Sequence, residues 1–472
     1  MSDLTTLLDG DPAACPIHLV PPKDFDGWRA APPEGAGQAA AWLAATGFEG
    51  KAGRHTLIPA ADGRLAAVLL LTEPDEPGLL WEAAALAAAL PPGSYRLAGE
   101  AAAPADPAGR AGTFALGWAL GGWRFERYRK VERPRPPGLV WPEAADREAV
   151  RRMAEAIFLV RELVTTPAED LGPDQLADAA RAVAARHGAD IRVLRGEGLL
   201  AENYPMIHAV GRASARPPLL VDLRWGPEDA PLLSLVGKGV VFDSGGLDLK
   251  PAAGMALMKK DMGGAAHALA LAGLVMDGGL RVRLRLLLPC VENAVSGSAF
   301  RPGDVLTSRK GLTVEIGNTD AEGRLILADA LADAEAEAPD LLLDFATLTG
   351  AARVALGPEI PAMFTDSDAL AADLAAAAER CGDPLWRMPL HKPYRSMIDS
   401  PIADLNNAGE GGFAGAVTAA LFLREFTGKA AAWAHFDLYA WNAKARPGRP
   451  VGGEAMTLRA LFDVLSARYG AQ

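Results

Sequence analysis

The chain has 472 residues and a formal charge of −12, with 50% of its residues hydrophobic, which suits two packed domains better than one small core. That charge repels phosphate backbones and anionic membrane surfaces, so nucleic acid is a disfavoured partner. Cys15, Cys290 and Cys381 stand apart without CxxC spacing, which excludes a disulfide framework or a thiolate zinc site and suits a reducing cytoplasm. The first residues, Met1-Ser-Asp-Leu-Thr-Thr-Leu-Leu-Asp9, lack a basic segment followed by a long apolar one. No run reaches the roughly 18 apolar residues of a membrane span, so a soluble, cytoplasmic protein without a membrane partner is expected.

Residues 1–142 mix alanine-rich helical segments with short strand-like runs such as Arg64–Thr72 and hold no cluster of catalytic residue types. They read as a smaller, supporting α/β domain. Its end is marked by Arg133-Pro-Arg-Pro-Pro-Gly-Leu-Val-Trp-Pro142, whose proline density suits a linker. The larger domain, 143–472, opens on a helix with apolar residues at Met153, Ile157, Val160, Leu163 and Val164, stopping near Pro167. Helix follows over 174–187 and strands over 191–194, 219–223 and 232–242. A helix over 265–276 precedes strands over 282–288 and 313–316, a helix over 325–338 and a strand over 341–345. Such alternation predicts a central, mostly parallel sheet covered by helices, with ligands bound beyond the carboxyl ends of its strands.

Two polar stretches fall there: Gly237-Lys-Gly-Val-Val-Phe-Asp-Ser-Gly-Gly246 and Asn318-Thr-Asp-Ala-Glu-Gly-Arg-Leu325. Asp243, Asp261, Asp320 and Glu322 are costly to desolvate as bare anions, so convergence would demand positive charge, most simply metal ions. Asp320 and Glu322, two apart, grip one ion only from an extended segment or loop. Asp261 alone also reads as a helix N-cap. Lys238, inside an apolar strand pattern, reads equally as a neutral amine ligand or as the partner of Asp243 in a structural ion pair. Lys250 and Arg324 are surface charges if taken singly, but as a set they suit oxyanion stabilisation and anchoring of a small anion. Oxygen donors with one amine suit Mg, Mn or Zn, and two such ions lower the pKa of a water to about 7, which points to hydrolysis. No histidine lies in either stretch and no HExxH pair occurs; Phe242 replaces the third glycine of a dinucleotide fingerprint; GxxxxGK[ST] and GxSxG are absent.

Together with Met255-Ala-Leu-Met-Lys-Lys-Asp-Met-Gly-Gly264, these stretches resemble the leucyl aminopeptidase family of dinuclear metallopeptidases, whose signature is Asn-Thr-Asp-Ala-Glu-Gly-Arg-Leu. The likeness extends over Arg161–Pro167, Ala346–Gly350 and Ala416–Leu423. It implies removal of N-terminal residues from short peptides. Lys238, Asp243, Asp261 and Glu322 would hold one divalent ion; Asp243, Asp320 and Glu322, with the Asp320 carbonyl, would hold the other, as Zn, Mn or Mg. Lys250 would polarise the scissile carbonyl, and Arg324 would anchor a bicarbonate acting as base. Met258, Thr347 and Gly350 match the pocket for the first side chain, and Leu348 a backbone contact to the peptide. A homohexamer is implied as well.

Two stretches depart from the family pattern. Asp437-Leu-Tyr-Ala-Trp-Asn442 places the bulky Tyr439 where a small residue is usual, and Glu202–Gly211 replaces a glycine-rich run, so a preference for leucine does not carry over. A dinuclear phosphoesterase is disfavoured for want of histidines, and a DNA-binding regulator by the acidic balance.

Overall fold

Short apolar runs broken by glycine and proline pair into a six-stranded sheet in the first part of the computed structural model, which describes residues 4–33, 36, 38–73, 77–99, 109–129, 136–409 and 411–470. The chain divides into two units, Met1–Phe158 with Lys444–Val451 and Leu159–Ala443 with Gly452–Gln472. In the first, β1 (Leu7–Leu8), β2 (Cys15–Val20), β3 (His55–Pro59), β4 (Leu65–Leu71), β5 (Ser94–Ala98) and β6 (Gly138–Val140) take the order β1-β6-β5-β2-β4-β3. Only β3 and β4 pair antiparallel. Of the proline-dense segment, 133–135 lie outside the described residues, and Gly138–Val140 hydrogen-bonds as β6.

The second unit contains β7 (Asp190–Arg195), β8 (Leu219–Trp225), β9 (Leu232–Gly237), β10 (Gly239–Asp243), β11 (Arg283–Asn293), β12 (Val305–Thr307), β13 (Thr313–Glu315), β14 (Leu341–Ala346), β15 (Ala362–Phe364), β16 (Trp386–Arg387), β17 (Leu405–Asn406) and β18 (Trp433–Asp437). Its main sheet runs β16-β15-β18-β14-β9-β11-β8-β7, with β10 beside β11. The centre is parallel, β9 with β11 and β14, β14 with β18, β10 with β11. Towards the edges, β8 with β11, β7 with β8 and β15 with β18 are antiparallel. β9 and β14 are buried at every residue, as strands covered on both faces are. The helices Gly263–Asp277 and Gly323–Ala336 supply much of that cover, the latter through Leu325, Ile326, Leu327 and Leu331 in the core with Val236 and Leu342.

Two sequence expectations change. The run 232–242 is not one strand: it breaks at Lys238, whose N–H donates to Phe345 O at 2.9 Å and whose carbonyl accepts from Ala265 N at 2.8 Å. The chain then resumes as β10 against the far end of β11. The run 313–316 becomes β13 of a separate three-stranded sheet, β12-β13-β17. Both follow from pairings between distant segments, which local pattern does not encode.

Because the central strands are parallel, their carboxyl ends meet at one edge. Lys238 follows β9, Asp243 ends β10, Asn293 ends β11, Thr347 follows β14 and Asp437 ends β18. The helix Gly263–Asp277 approaches this edge so closely that a Cβ at Gly264 would lie 2.1 Å from Phe345 O. Backbone cannot yield cheaply on either side, so Gly264→Ala is expected to lower stability by about 3 kcal/mol in denaturant titration. Gly198→Ala, where an added Cβ meets nothing within 4 Å, should leave the midpoint unchanged or raised. Equal midpoints for the two variants would contradict the close approach.

Candidate metal centre

Each acidic group reaches the centre because the chain leaves regular structure at that point. Asp243 is the last residue of β10, and Asp320 and Glu322 occupy the loop that turns into the helix Gly323–Ala336. Asp261 follows the 3-10 turn Met258–Lys260; Met262 is the N-cap of the next helix, and the Asp261 side chain makes no capping bond. Its Oδ1 instead accepts from Thr347 Oγ1 at 2.7 Å.

Lys238, 3% exposed, extends from the strand break with Nζ 2.8 Å from Asp261 Oδ2 and 2.9 Å from Glu322 Oε1. It does not pair with Asp243, whose Oδ2 lies 2.7 Å from Lys250 Nζ; Lys250 also pairs with Asp320. Proximity is not the same as satisfaction here. Asp261 Oδ2, Asp320 Oδ1 and both oxygens of Glu322 are buried without a hydrogen bond of acceptable geometry, and Lys238 Nζ donates to Thr347 O at 3.2 Å. Asp243, Asp320 and Glu322 each present an oxygen within 4.8 Å of the other two. Gly323 is required for this packing, since a Cβ there would lie 2.5 Å from Lys238 Cε.

Four carboxylates thus face two ammonium groups. Burial opposes charge on both lysines, yet the surrounding carboxylates hold Lys238 and Lys250 above the usual lysine range. Burial together with the Asp243 charge pushes Glu322 up to about 8 and Asp320 up to about 6. Asp261 is raised as well, chiefly by burial. At neutral pH Glu322 therefore keeps its proton unless a cation replaces it, while Asp320 holds one only below about pH 6. Hard oxygen donors with orphaned lone pairs and one amine fit divalent ions. Arg324 is buried, with Nη1 donating to Asn407 O at 2.6 Å and Nε unpartnered; burial lowers its pKa to about 10. Its free donor suits a small anion.

A cavity of about 270 Å³ is lined by Lys238, Asp320, Glu322 and Arg324 together with Leu348, Gly350 and Ala351. Met258 and Thr347 are not part of that lining. Tyr439 packs its ring against Lys260 Nζ at 4.7 Å and Arg353 Cζ at 5.1 Å. Sequence reasoning missed the supports. Asn407 accepts from Gly317 N and Asn318 N at 2.8 and 3.2 Å and donates to Asn318 O and Ala321 O at 2.7 and 3.2 Å, so it staples the acidic loop. Asn293 donates to Asp243 Oδ1 at 2.9 Å and Thr319 O at 3.1 Å. Asp437 accepts from Leu348 N and Thr349 N at 3.0 and 3.1 Å. Of these, Asp437 had a signal: like Asp243, it ends an apolar run.

Compared with known proteins, residues 158–462 match the model of the cytosol aminopeptidase family, catalytic domain, and residues 15–140 that of the M17 aminopeptidase N-terminal domain. The structure resembles that of cytosol aminopeptidase from Coxiella burnetii with TM-score 0.92 and 46% identity, over 98% of this chain and 100% of that one. It also resembles the bottromycin maturation enzyme BotP in complex with Mn, with TM-score 0.85 and 37% identity, over 97% and 100%.

A carboxyl group whose folded pKa exceeds its unfolded value binds more protons when folded, so its contribution to stability falls as pH rises through that window. For Glu322 and Asp320, with folded values of about 8 and about 6, the metal-free protein should lose stability from about pH 4.5 towards pH 8. Bound cations would displace those protons. The upward shift in melting temperature on adding Mn or Zn should therefore be larger at pH 8 than at pH 6, with proton release measurable by calorimetry in buffers of different ionisation enthalpy.

Proposed function

The chain belongs to the cytosol aminopeptidase family, M17, and on that basis we propose that it removes N-terminal residues from short peptides by water attack assisted by a pair of divalent cations. It is a metal-dependent aminopeptidase. The observation that carries the finer reading is the surplus of buried acids, with oxygens of Asp261, Asp320 and Glu322 lacking hydrogen bonds, beside a cavity that also holds Arg324.

In this reading Lys238, Asp243, Asp261 and Glu322 hold one ion, and Asp243, Asp320 and Glu322, with the Asp320 carbonyl, hold the other. Such a pair supplies Lewis acidity and a water acidic enough to ionise near pH 7. The chain's own groups do the rest. With the acids engaged, Lys250 is released from Asp243 and Asp320 and donates to the scissile carbonyl oxygen, where negative charge develops. Arg324 would anchor a bicarbonate, which would supply the base for the attacking water. Asp261 accepts from the free α-amine, which makes a blocked N-terminus a poor substrate. Met258, Thr347 and Gly350 surround the first side chain, and the Leu348 backbone, held by Asp437, aligns the peptide. The Mn in the BotP relative supports Mn, with Zn or Mg as alternatives. Residues 1–142 serve as the supporting domain and 143–472 as the catalytic one, in a cytoplasmic homohexamer.

Purified protein should hydrolyse an amino-acid amide, lose that activity to a chelator and regain it with Mn or Zn, and leave the N-acetylated amide intact. Glu322→Gln should lower kcat by about a thousandfold or more, since it removes charge where the transition state needs it. The same variant should unfold no earlier than the parent without metal, because the buried Glu322 is already held neutral below about pH 8 and glutamine is a neutral replacement of the same shape. Near-normal turnover in Glu322→Gln, or inactivity with every metal, would sink the mechanism.

A further inference from the structure

Of the 14 phenylalanines, Phe413 alone is exposed, at 87%. A single exposed ring needs no explanation by itself, but this one borders the cavity that also holds Glu322 and Arg324. Gly411 has φ 75° and Ala414 φ 57°, and an added Cβ at Gly412 would meet nothing within 4 Å. Behind the ring the chain is anchored: Ala414 packs on the apolar cluster of Ala352, Phe364 and Leu421, and a Cβ at Gly415 would touch Ala351 Cβ at 3.3 Å. An alanine with positive φ is strained, and such strain persists where the surroundings fix it, often at functional sites.

The cavity is lined both by charged groups, Lys238, Asp320, Glu322 and Arg324, and by apolar ones, Leu348, Ala351, Ala408 and Phe413. Under the aminopeptidase reading, on which this inference rests, the free amine and scissile carbonyl meet the charged groups, and two of the three residues assigned to the first side chain, Met258 and Thr347, are not in this lining, so the apolar surface here is left for the peptide beyond the cleaved bond. We propose that Phe413 determines specificity for the residue immediately after the scissile bond, selecting an apolar, preferably aromatic, side chain by ring stacking. Arg324 does not compete for this ring; its guanidinium lies 5.9 Å from the centre of another, Phe422. Offset or edge-to-face ring pairs add to the burial of apolar area, and a ring standing in water gains by being covered.

The test uses the full chain loaded with Mn. The first residue is fixed as the one whose amide is hydrolysed fastest, and dipeptides carrying Phe, Leu or Gly second are compared. The parent should show kcat/KM for the Phe dipeptide about tenfold above that for the Gly dipeptide, and Phe413→Ala should cut this ratio about fivefold. Phe413→Trp should retain it. An unchanged ratio in Phe413→Ala would overturn the proposal, as would a change that follows the first residue instead of the second. If light scattering shows that Phe413→Ala only alters the oligomeric mass while the ratio holds, the ring is an assembly contact and the proposal is wrong. Failure of the parent to hydrolyse any amide would instead count against the aminopeptidase reading itself.

Discussion

Four carboxylates brought together in a buried cleft with two lysine ammonium groups leave negative charge that the interior cannot solvate. The remaining geometry of the centre follows from managing that excess. A bare anion in a low-dielectric setting costs several kcal/mol even after relaxation, so without metal Glu322 keeps its proton at neutral pH, and bound cations would take that proton's place. The helices Gly263–Asp277 and Gly323–Ala336 begin within two residues of Asp261 and directly after Glu322. Their free amide ends place partial positive charge beside the acids, and the lysines supply the rest. Neither compensation is complete: two ammonium groups face four carboxylates, and Glu322 Oε2 has neither a hydrogen bond nor an ion pair.

Holding such a cluster requires a frame that resists its own repulsion. The parallel centre of the second unit's sheet supplies one by ending several strands at a common edge, and polar side chains then fasten the loops that follow. Thr319 shows the economy of this arrangement: its N–H donates to Asp248 Oδ2 at 2.7 Å and its hydroxyl to Gly245 O at 2.6 Å, so the two acidic stretches are bound directly to one another. Asn407 and Asn293 complete the fastening from β17 and β11. Thr319, Asn407 and Asn293 are neutral and fix position without adding to the charge excess; Asp248 and Asp437 are the acidic members of the fastening.

Much of the frame was legible in the sequence because the strands are buried apolar runs and the helices end at glycine or proline. The helix after Gly172 and before Gly188, where φ is 64°, follows directly from those signals. Asp243, Asp320 and Glu322 were legible as acids set beside apolar runs. What the sequence concealed depends on contacts between distant segments. The break at Lys238 is made by hydrogen bonds to Phe345 and Ala265, and nothing in Gly237-Lys-Gly239 marks it. Asn407 is one of two adjacent asparagines, and only the folded loop distinguishes the one that reaches Ala321 from Asn406, which does not. The cations packed on Tyr439 come from Lys260 and Arg353, and no local pattern brings those three together.

Gly323 stands between the acid and the arginine of its motif, yet the space it must leave empty belongs to Lys238, arriving from another strand. Any side chain there would push the amine off Glu322 and Asp261. The steric constraint runs one way: the lysine could be shortened without touching the glycine, but the glycine cannot gain a side chain while the lysine keeps its length. Because that lysine is also a proposed ligand, the glycine is held in place indirectly by the centre itself.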